Sequence, residues 1–107
     1  MKVVDLDRED IKRGLADGSI LVIDVREPHE FEQGRIPGAV PHPLSTFDTA
    51  AVAALIEGDG RRPVFSCASG VRSVHALQAA QGAGLPIDAH YRGGFKEWRA
   101  AGEPFET

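Results

Sequence analysis

The sequence contains a single cysteine among 107 residues, so no disulfide bond can form within the chain. It also lacks long apolar runs, and no stretch approaches the roughly 20 apolar residues of a membrane span. Runs of lysine and arginine are missing, and the formal net charge of -4 argues against a surface that binds nucleic acid. We therefore predict neither a membrane span nor a nucleic-acid partner.

Histidine is sparse and dispersed. The four histidines lack the spacing that is typical of metal ligands, so we predict no metal site. The N-terminal residues lack the apolar core of a signal peptide, and a cytoplasmic location is expected, where a free thiol stays reduced. Repeats and low-complexity segments are absent. With 42% hydrophobic and 26% charged residues, the composition is typical of a globular protein, and residues 1–107 are predicted to form one domain.

The cysteine, Cys67, ends the short apolar stretch PVFSC, which has the length of a buried strand. From Arg72 onward the sequence has helical periodicity. Apolar residues recur at every third position there and predict the buried face of a helix: Val74, Leu77 and Ala80. Cys67 is therefore predicted to lie where a strand meets a helix N-terminus.

This position favours a reactive thiol. The first amide groups of a helix have no intrahelical partners, and the helix dipole places partial positive charge there. If residues 68–71 curl around the sulfur, their N-H groups form a nest for an anion, with Gly70 permitting the necessary backbone angles. Arg72 adds a positive charge at the rim. Such surroundings lower the pKa of a cysteine below its free value of about 8.5, and the thiolate is the nucleophile. The alternative is an unreactive cysteine that packs as a small hydrophobe.

Predicted strands and helices alternate along the rest of the chain. Besides the strand before Cys67, strands are predicted near residue 3, at 20–25, near 40 and at 87–91. Besides the helix from Arg72, helices are predicted after an N-cap at Asp7, at 28–33, at 49–57 and at 95–101. This alternation indicates a mostly parallel sheet that is covered on both faces. Asp24 lies near the carboxyl end of the strand at 20–25, at the edge where open α/β sheets bind ligands.

Several core positions follow from the same patterns. Phe31 is expected to be the buried residue of its short helix. Ile87, Ala89 and Tyr91 alternate along the last strand and are expected to share one face of the sheet.

Three motifs then occur in the order and spacing of one family: DVREPHEFEQGRIPGA from Asp24, CASGVR from Cys67 to Arg72, and GGFKEW from Gly93. In these motifs, and over nearly its whole length, the chain resembles a single-domain rhodanese. The resemblance implies an α/β, rhodanese-like fold with a central parallel sheet of about five strands, flanked by helices on both faces. It also implies a sulfurtransferase in which Cys67 carries the sulfur.

The implied reaction is a double displacement. Cys67 takes a sulfane sulfur from thiosulfate or a low-molecular-weight persulfide, and a small thiol, a protein thiol or cyanide accepts it. No cofactor is expected. The loop that follows the nucleophile is expected to bind substrate through Ala68, Ser69, Gly70, Val71, Arg72 and Ser73.

Some residues have two interpretations. Arg72 either orients an anionic donor or pairs with a surface carboxylate. Ser69 either directs its hydroxyl at the sulfur or is a small residue tolerated in a tight turn. Asp24 and Arg26 are expected to form a polar network beneath the loop, with direct contact to substrate as the alternative. The loop interior carries no charged side chain, which bears on how efficiently thiosulfate is used.

Two other functions remain as alternatives. A phosphatase of the related dual-specificity type has five residues between its cysteine and arginine, whereas four separate Cys67 from Arg72 here. The shorter loop suits a single sulfur atom better than a phosphate. A non-catalytic rhodanese-like binding module commonly lacks the cysteine, which this chain retains.

Overall fold

The computed structural model describes residues 1–107, in which strands and helices alternate. The five strands are β1 (Val4–Leu6), β2 (Ile20–Asp24), β3 (Val40–Pro41), β4 (Arg62–Ser66) and β5 (Ala89–Tyr91). The five α-helices are α1 (Arg8–Asp17), α2 (Pro28–Gln33), α3 (Thr49–Ile56), α4 (Arg72–Gly82) and α5 (Gly94–Ala100). The predicted α/β class is confirmed. None of these helices combines the length and the apolar composition needed to cross a membrane.

All five strands are parallel and lie in the order β1-β5-β4-β2-β3. The central strands β2 and β4 pair along their whole length, with Asp24 opposite Ser66 at their carboxyl ends. From β2 the chain continues to β3 on one side, whereas from β4 it continues to β5 on the other. Parallel sheets open a crevice at the point where the connections diverge in this way.

Each face of the sheet buries its own apolar core. The core under α3 and α4 consists of Leu21, Ile23, Val25, Val52, Phe65, Cys67, Ala76, Leu77, Ala80 and Ile87. The core under α1 and α5 consists of Ile11, Ile20, Val22, Ile36, Val64, Ala89, Tyr91, Phe95 and Trp98. The residues of β2 alternate between the two cores, which explains why this strand is a continuous apolar run.

Helix α1 starts and stops at local sequence signals. The Asp7 carboxylate accepts the Asp10 amide at 2.8 Å, and the Asp10 carboxylate accepts the Asp7 amide at 2.9 Å, forming a capping box. The helix ends at Gly18, whose φ of +71° lies in the left-handed region. The helix begins where the sequence predicts it.

Two core predictions are wrong in detail. Ile87 belongs to the core under α4, whereas Ala89 and Tyr91 belong to the opposite core. The cause is that β5 begins only at Ala89, so strand alternation does not extend back to Ile87. Phe31 is only half-buried, because it lies at the rim of the domain, where the Arg35 guanidinium stacks 4.7 Å from its ring centre.

The buried face of α4 is also rotated from the predicted one. Its fully buried residues are Ser73, Ala76, Leu77 and Ala80, whereas Val74 is only half-buried. The rotation brings a serine hydroxyl inward at the first turn of the helix. That hydroxyl lies beside the Cys67 sulfur.

Candidate active site

Cys67 follows the last residue of β4, and α4 begins at Arg72, as the sequence predicts. The five-residue loop 67–71 therefore joins the carboxyl end of a central strand to a helix N-terminus. It lies at the divergence point between β4 and β2, next to the strand end at Asp24. The fold thus places the nucleophile candidate at the edge where parallel sheets bind ligands.

The Cys67 sulfur is buried and surrounded by hydrogen-bond donors. The residue is 1% exposed. The Gly70 amide donates to Sγ at 3.1 Å, and the Ser73 hydroxyl oxygen lies 3.4 Å from Sγ. The amides of Ser69 and Ser73 also act on the thiol and lower the pKa of Cys67. Of the amides at 68–71 that are predicted to form the nest, the Gly70 amide hydrogen-bonds to the sulfur in this structure.

Burial and hydrogen bonding act in opposite directions on the thiol. Burial raises the pKa of Cys67 because it disfavours the charged form, but the hydrogen bonds from Ser73, Ser69 and Gly70 together lower that pKa below its ordinary value. The hydroxyl that contacts the sulfur belongs to Ser73, and Ser69 contributes its amide. A contact between the Ser69 hydroxyl and the sulfur stays a prediction.

Gly70 is required by the shape of the loop. Its φ is +86°, and a Cβ built there would lie 2.3 Å from the backbone oxygen of Arg92. Backbone cannot withdraw as a flexible side chain can, so a larger residue would push the loop away from the end of β5. The amide that donates to the sulfur is thus held in place by close packing.

The N-terminus of α5 holds the opposite side of the loop. The Phe95 amide donates to the Cys67 carbonyl at 2.8 Å, and the Lys96 amide donates to the Ala68 carbonyl at 3.1 Å. Gly94 has φ +70°, and a Cβ there would lie 2.4 Å from the Ala68 oxygen. Gly94, the first residue of α5, therefore permits a contact between two backbones, which the sequence alone did not indicate.

Arg72 is paired with a carboxylate. Its guanidinium donates to both carboxylate oxygens of Glu30 in α2, at 2.7 and 2.9 Å. The Arg72 hydrogen bonds lower the pKa of Glu30 to about 2. The pairing interpretation of Arg72 therefore describes its geometry, and the pair ties α4 to α2. An additional contact between Arg72 and a donor stays a prediction.

This ion pair makes a pH-dependent contribution to stability. The Glu30 pKa falls from 4.5 in the unfolded chain to about 2 in the folded one. Its stabilisation is therefore complete above pH 4.5 and is lost as the pH falls through about 2. We expect Glu30→Gln to lower the free energy of unfolding at neutral pH by about 1 kcal/mol, since both partners are partly exposed. It should also flatten the acid-induced decline in this interval, as measured by urea unfolding.

Glutamine at position 30 keeps an acceptor for the Glu27 amide, which Glu30 binds at 3.0 Å, so the change isolates the charge. The matched control is Glu32→Gln, an exposed carboxylate on the same helix. Equal pH profiles for the two variants would contradict a stabilising role for the Glu30–Arg72 pair.

Asp24 and Arg26 form a buried ion pair. The Arg26 Nη2 atom lies 2.7 Å from Asp24 Oδ2, and the two side chains are 5% and 3% exposed. The same nitrogen donates to the Gly34 carbonyl at 2.7 Å, and the guanidinium stacks 4.5 Å from the Phe95 ring centre. Arg26 thereby connects β2, the end of α2 and the helix that holds the loop. These contacts have the geometry of a supporting network, and direct contact with substrate stays the alternative prediction.

Two clefts flank the Cys67 loop. One, of about 460 Å³, is lined by Ala68 of the loop, Arg26, and Lys96 and Arg99 of α5. The other, of about 610 Å³, is lined by Ser69 together with residues of β1 and the segment after β5. The first cleft presents basic side chains beside the loop even though the loop interior has none.

A second buried contact of Ser73 escaped the sequence analysis. The Ser73 hydroxyl lies 2.8 Å from Nδ1 of His90, and Nε2 of His90 lies 2.6 Å from the Asp5 carboxylate. Asp5 and His90 are 85 residues apart in the sequence and meet only because β1 and β5 pair in register. No local sequence signal connects them.

Comparison with known proteins gives a consistent result. Residues 7–101 match the family model described as a rhodanese-like domain. The chain is 36% identical over 100 residues to "Thiosulfate sulfurtransferase/rhodanese-like domain-containing protein 3" of Mus musculus, covering 83% of this chain and 64% of that protein. It is 33% identical over 103 residues to a sulfurtransferase of Allochromatium vinosum, covering 95% of this chain and 94% of that protein.

A solved structure shares the architecture. Thiosulfate sulfurtransferase from Pseudomonas aeruginosa superposes with a TM-score of 0.85 and 26% identity, covering 97% of this chain and 20% of that chain. The chain spans less than two thirds of the length of several of the curated relatives that it matches, with shares of 64%, 46% and 21%. The similarity therefore concerns one domain of those longer proteins.

Proposed function

The chain belongs to the family of rhodanese-like domains, which includes sulfurtransferases, and from this premise we propose that it transfers sulfane sulfur through a persulfide on Cys67. The proposed donor is thiosulfate or a low-molecular-weight persulfide. The proposed acceptor is a small thiol, a protein thiol or cyanide. The observation that carries the proposal is the environment of the sulfur, since the Gly70 amide donates to Sγ at 3.1 Å and the Ser73 hydroxyl oxygen lies 3.4 Å from it, and these surroundings favour the anionic, nucleophilic form.

In the first half-reaction the Cys67 thiolate attacks the terminal sulfur of the donor. A new S–S bond forms, the donor's own S–S bond breaks, and sulfite or a thiolate leaves with the electron pair. Cys67 then carries one additional sulfur, whose negative charge the surrounding amide and hydroxyl donors stabilise. The Gly70 amide, 3.1 Å from Sγ, and the Ser73 hydroxyl are suitably placed for this role.

In the second half-reaction the acceptor attacks the outer sulfur of the persulfide. The bond between the two sulfurs breaks, and its electron pair returns to Cys67. The groups that stabilise the attacking thiolate therefore also stabilise it as a leaving group. The proton of a thiol acceptor passes to solvent, so the enzyme returns to its starting state without a cofactor.

The burial of Cys67 bears on the donor. Because the residue is only 1% exposed, a donor must present its sulfur as a terminal atom with little bulk around it. Thiosulfate and small persulfides meet this condition. Lys96 and Arg99, which line the cleft beside Ala68, supply positive charge for the anionic remainder of the donor. Because Arg72 is paired with Glu30, we expect Lys96 and Arg99 to contribute more than Arg72 to donor binding.

The proposal is tested by intact-protein mass spectrometry after incubation with thiosulfate or glutathione persulfide. We expect the mass to increase by one sulfur atom and to return to its original value on addition of cyanide, with formation of thiocyanate. Because the chain has one cysteine, any persulfide that is detected must be on Cys67. An unchanged mass with both donors would contradict the proposal and favour a non-catalytic binding module.

A further inference from the structure

We propose that Ser73, His90 and Asp5 form a proton-transfer chain that sets the ionisation of Cys67. The chain runs from a buried sulfur to the surface through three contacts. Sγ of Cys67 lies 3.4 Å from Ser73 Oγ, Ser73 Oγ lies 2.8 Å from His90 Nδ1, and His90 Nε2 lies 2.6 Å from Asp5 Oδ1. The role rests on the proposed function only in requiring Cys67 to act as a thiolate.

This proton-transfer chain leads from the protein interior to solvent. His90 is 2% exposed, whereas the Asp5 side chain is 54% exposed. Asp5 opens onto the cleft that Ser69 of the loop also lines. A buried histidine between a carboxylate and a hydroxyl can take up a proton at one ring nitrogen while the other ring nitrogen keeps its hydrogen bond.

Ser73 has one proton and two neighbours that can accept it. The Asp5 carboxylate is an acceptor, so it fixes a proton on His90 Nε2, and the Nδ1 atom of the neutral ring then accepts from Ser73. In that state the hydroxyl cannot also donate to the sulfur. When Nδ1 carries a proton, it donates to Ser73 Oγ, and the hydroxyl is free to donate to a thiolate. The protonation of His90 therefore decides whether Ser73 stabilises the nucleophile.

The proton transfer balances within the chain. The S–H bond of Cys67 breaks and its proton passes to Ser73 Oγ, while the electron pair stays on sulfur. The former Ser73 proton passes to His90 Nδ1, so the ring becomes an imidazolium that faces the Asp5 carboxylate. Ser73 still holds one proton, which it now donates to the thiolate. The total charge is unchanged, and the products are a thiolate and an imidazolium.

The groups that surround His90 favour this role. Asp5 contacts it from β1 and Ser73 from α4, while its register partner in β4 is the apolar residue Phe65. The other charged residues that line the cleft with Asp5 are Asp7, Arg92 and Glu97. Asp5 is thus the carboxylate that directly balances an imidazolium at position 90.

The test uses Asp5→Asn, which keeps the shape of the side chain and removes its charge at a site that does not touch the sulfur. Losing the carboxylate disfavours the imidazolium and therefore the thiolate. We expect the rate of Cys67 alkylation by iodoacetamide at neutral pH to fall about three- to tenfold, with the pH midpoint raised by about half a unit to one unit. The control is Asp88→Asn, which removes the same charge near the start of β5 and should leave both values unchanged.

A double variant separates transfer through the chain from a general electrostatic effect. In the Ser73→Ala background the chain is interrupted, so adding Asp5→Asn should have little further effect on the alkylation rate. If Asp5→Asn slows alkylation by the same factor with and without Ser73, its charge acts through space and the proposed chain is wrong. An unchanged rate in Asp5→Asn alone overturns it as well.

Nitrogen NMR of the His90 ring provides a readout that does not depend on reaction rates. At neutral pH, Nδ1 should carry a proton in a larger fraction of the wild-type protein than of Cys67→Ala, because only the wild type holds a thiolate. The same protonation state in both proteins would contradict the proposal. Neither readout measures sulfur transfer, so the two proposals can fail separately. If alkylation and NMR respond as predicted but the protein transfers no sulfur, the proposed function is wrong. If the protein transfers sulfur but neither readout responds as predicted, the proton-transfer chain is wrong.

Discussion

Replacing Cys67 with serine is expected to abolish sulfur transfer while leaving the fold intact. A hydroxyl does not ionise near neutral pH and cannot form a persulfide, so both half-reactions are lost. The serine oxygen remains close to the Gly70 amide, which donates to the sulfur in the wild type, and to the Ser73 hydroxyl, whose oxygen lies 3.4 Å from that sulfur. Its burial is therefore accompanied by hydrogen bonds, and we expect a stability loss of about 1 kcal/mol.

The measurement is thiocyanate formation from thiosulfate and cyanide, with circular dichroism and thermal unfolding as tests of the fold. Cys67→Ala serves as a second variant, since it also removes the nucleophile but leaves the loop amides without an acceptor. Both variants should be inactive, and Cys67→Ala should be the less stable. Appreciable thiocyanate formation by folded Cys67→Ser would exclude Cys67 as the sulfur carrier.

The fold could be predicted from the sequence where local signals and the buried environment agree. Successive apolar residues in the run Ile20–Asp24 face the two cores in turn, and this burial on both faces identifies a central parallel strand. Asp7, Asp10 and Gly18 give the limits of α1 through contacts within the helix itself. Alternation predicts the wrong face for Ile87, because it identifies a strand but does not show where the strand begins.

The candidate site divides in the same way. Cys67, Gly70 and the start of α4 lie within six residues, so local reasoning could place a thiol against amide donors at a helix N-terminus. The other components come from distant parts of the chain. Glu30, which holds Arg72, and His90, which contacts Ser73, are brought to the loop only by the order of the strands. Their sequence separations of 42 and 17 residues carry no periodicity that could indicate contact.

The two helices that meet at the loop, α4 and α5, contact different groups of it. Helix α4 directs donors at the sulfur, whereas the amides at the start of α5 bind the carbonyls of Cys67 and Ala68. A loop in which amides converge on an anion must direct its carbonyls elsewhere, and these carbonyls need partners of their own. The α5 N-terminus provides two of them. Sulfur chemistry at Cys67 is therefore expected to depend on Gly94, the first residue of α5, although Gly94 does not contact the sulfur.

Gly94→Ala is accordingly expected to cause a large loss of both stability and activity. The added Cβ would lie 2.4 Å from the Ala68 oxygen, 2.5 Å from the Ala68 carbonyl carbon and 2.7 Å from the Cys67 oxygen, so only backbone movement can relieve the clash. The φ of +70° adds strain for any residue with a side chain. We expect the free energy of unfolding to fall by about 3 kcal/mol. Thiocyanate formation should fall about 100-fold, since the donors around the sulfur would shift by a sizeable part of an ångström.

Gly102→Ala isolates the contribution of the contact. Gly102 lies just beyond the other end of α5 and has a similar φ of +76°, but a Cβ there meets nothing within 4 Å. It should therefore show the backbone strain alone, a loss of about 1 kcal/mol in urea unfolding, with sulfur transfer close to that of the wild type. If both variants lose the same stability and keep the same activity, the packing of α5 against the Cys67 loop does not position the sulfur. A low activity in a Gly94→Ala protein that remains fully folded at the assay temperature would show that it does.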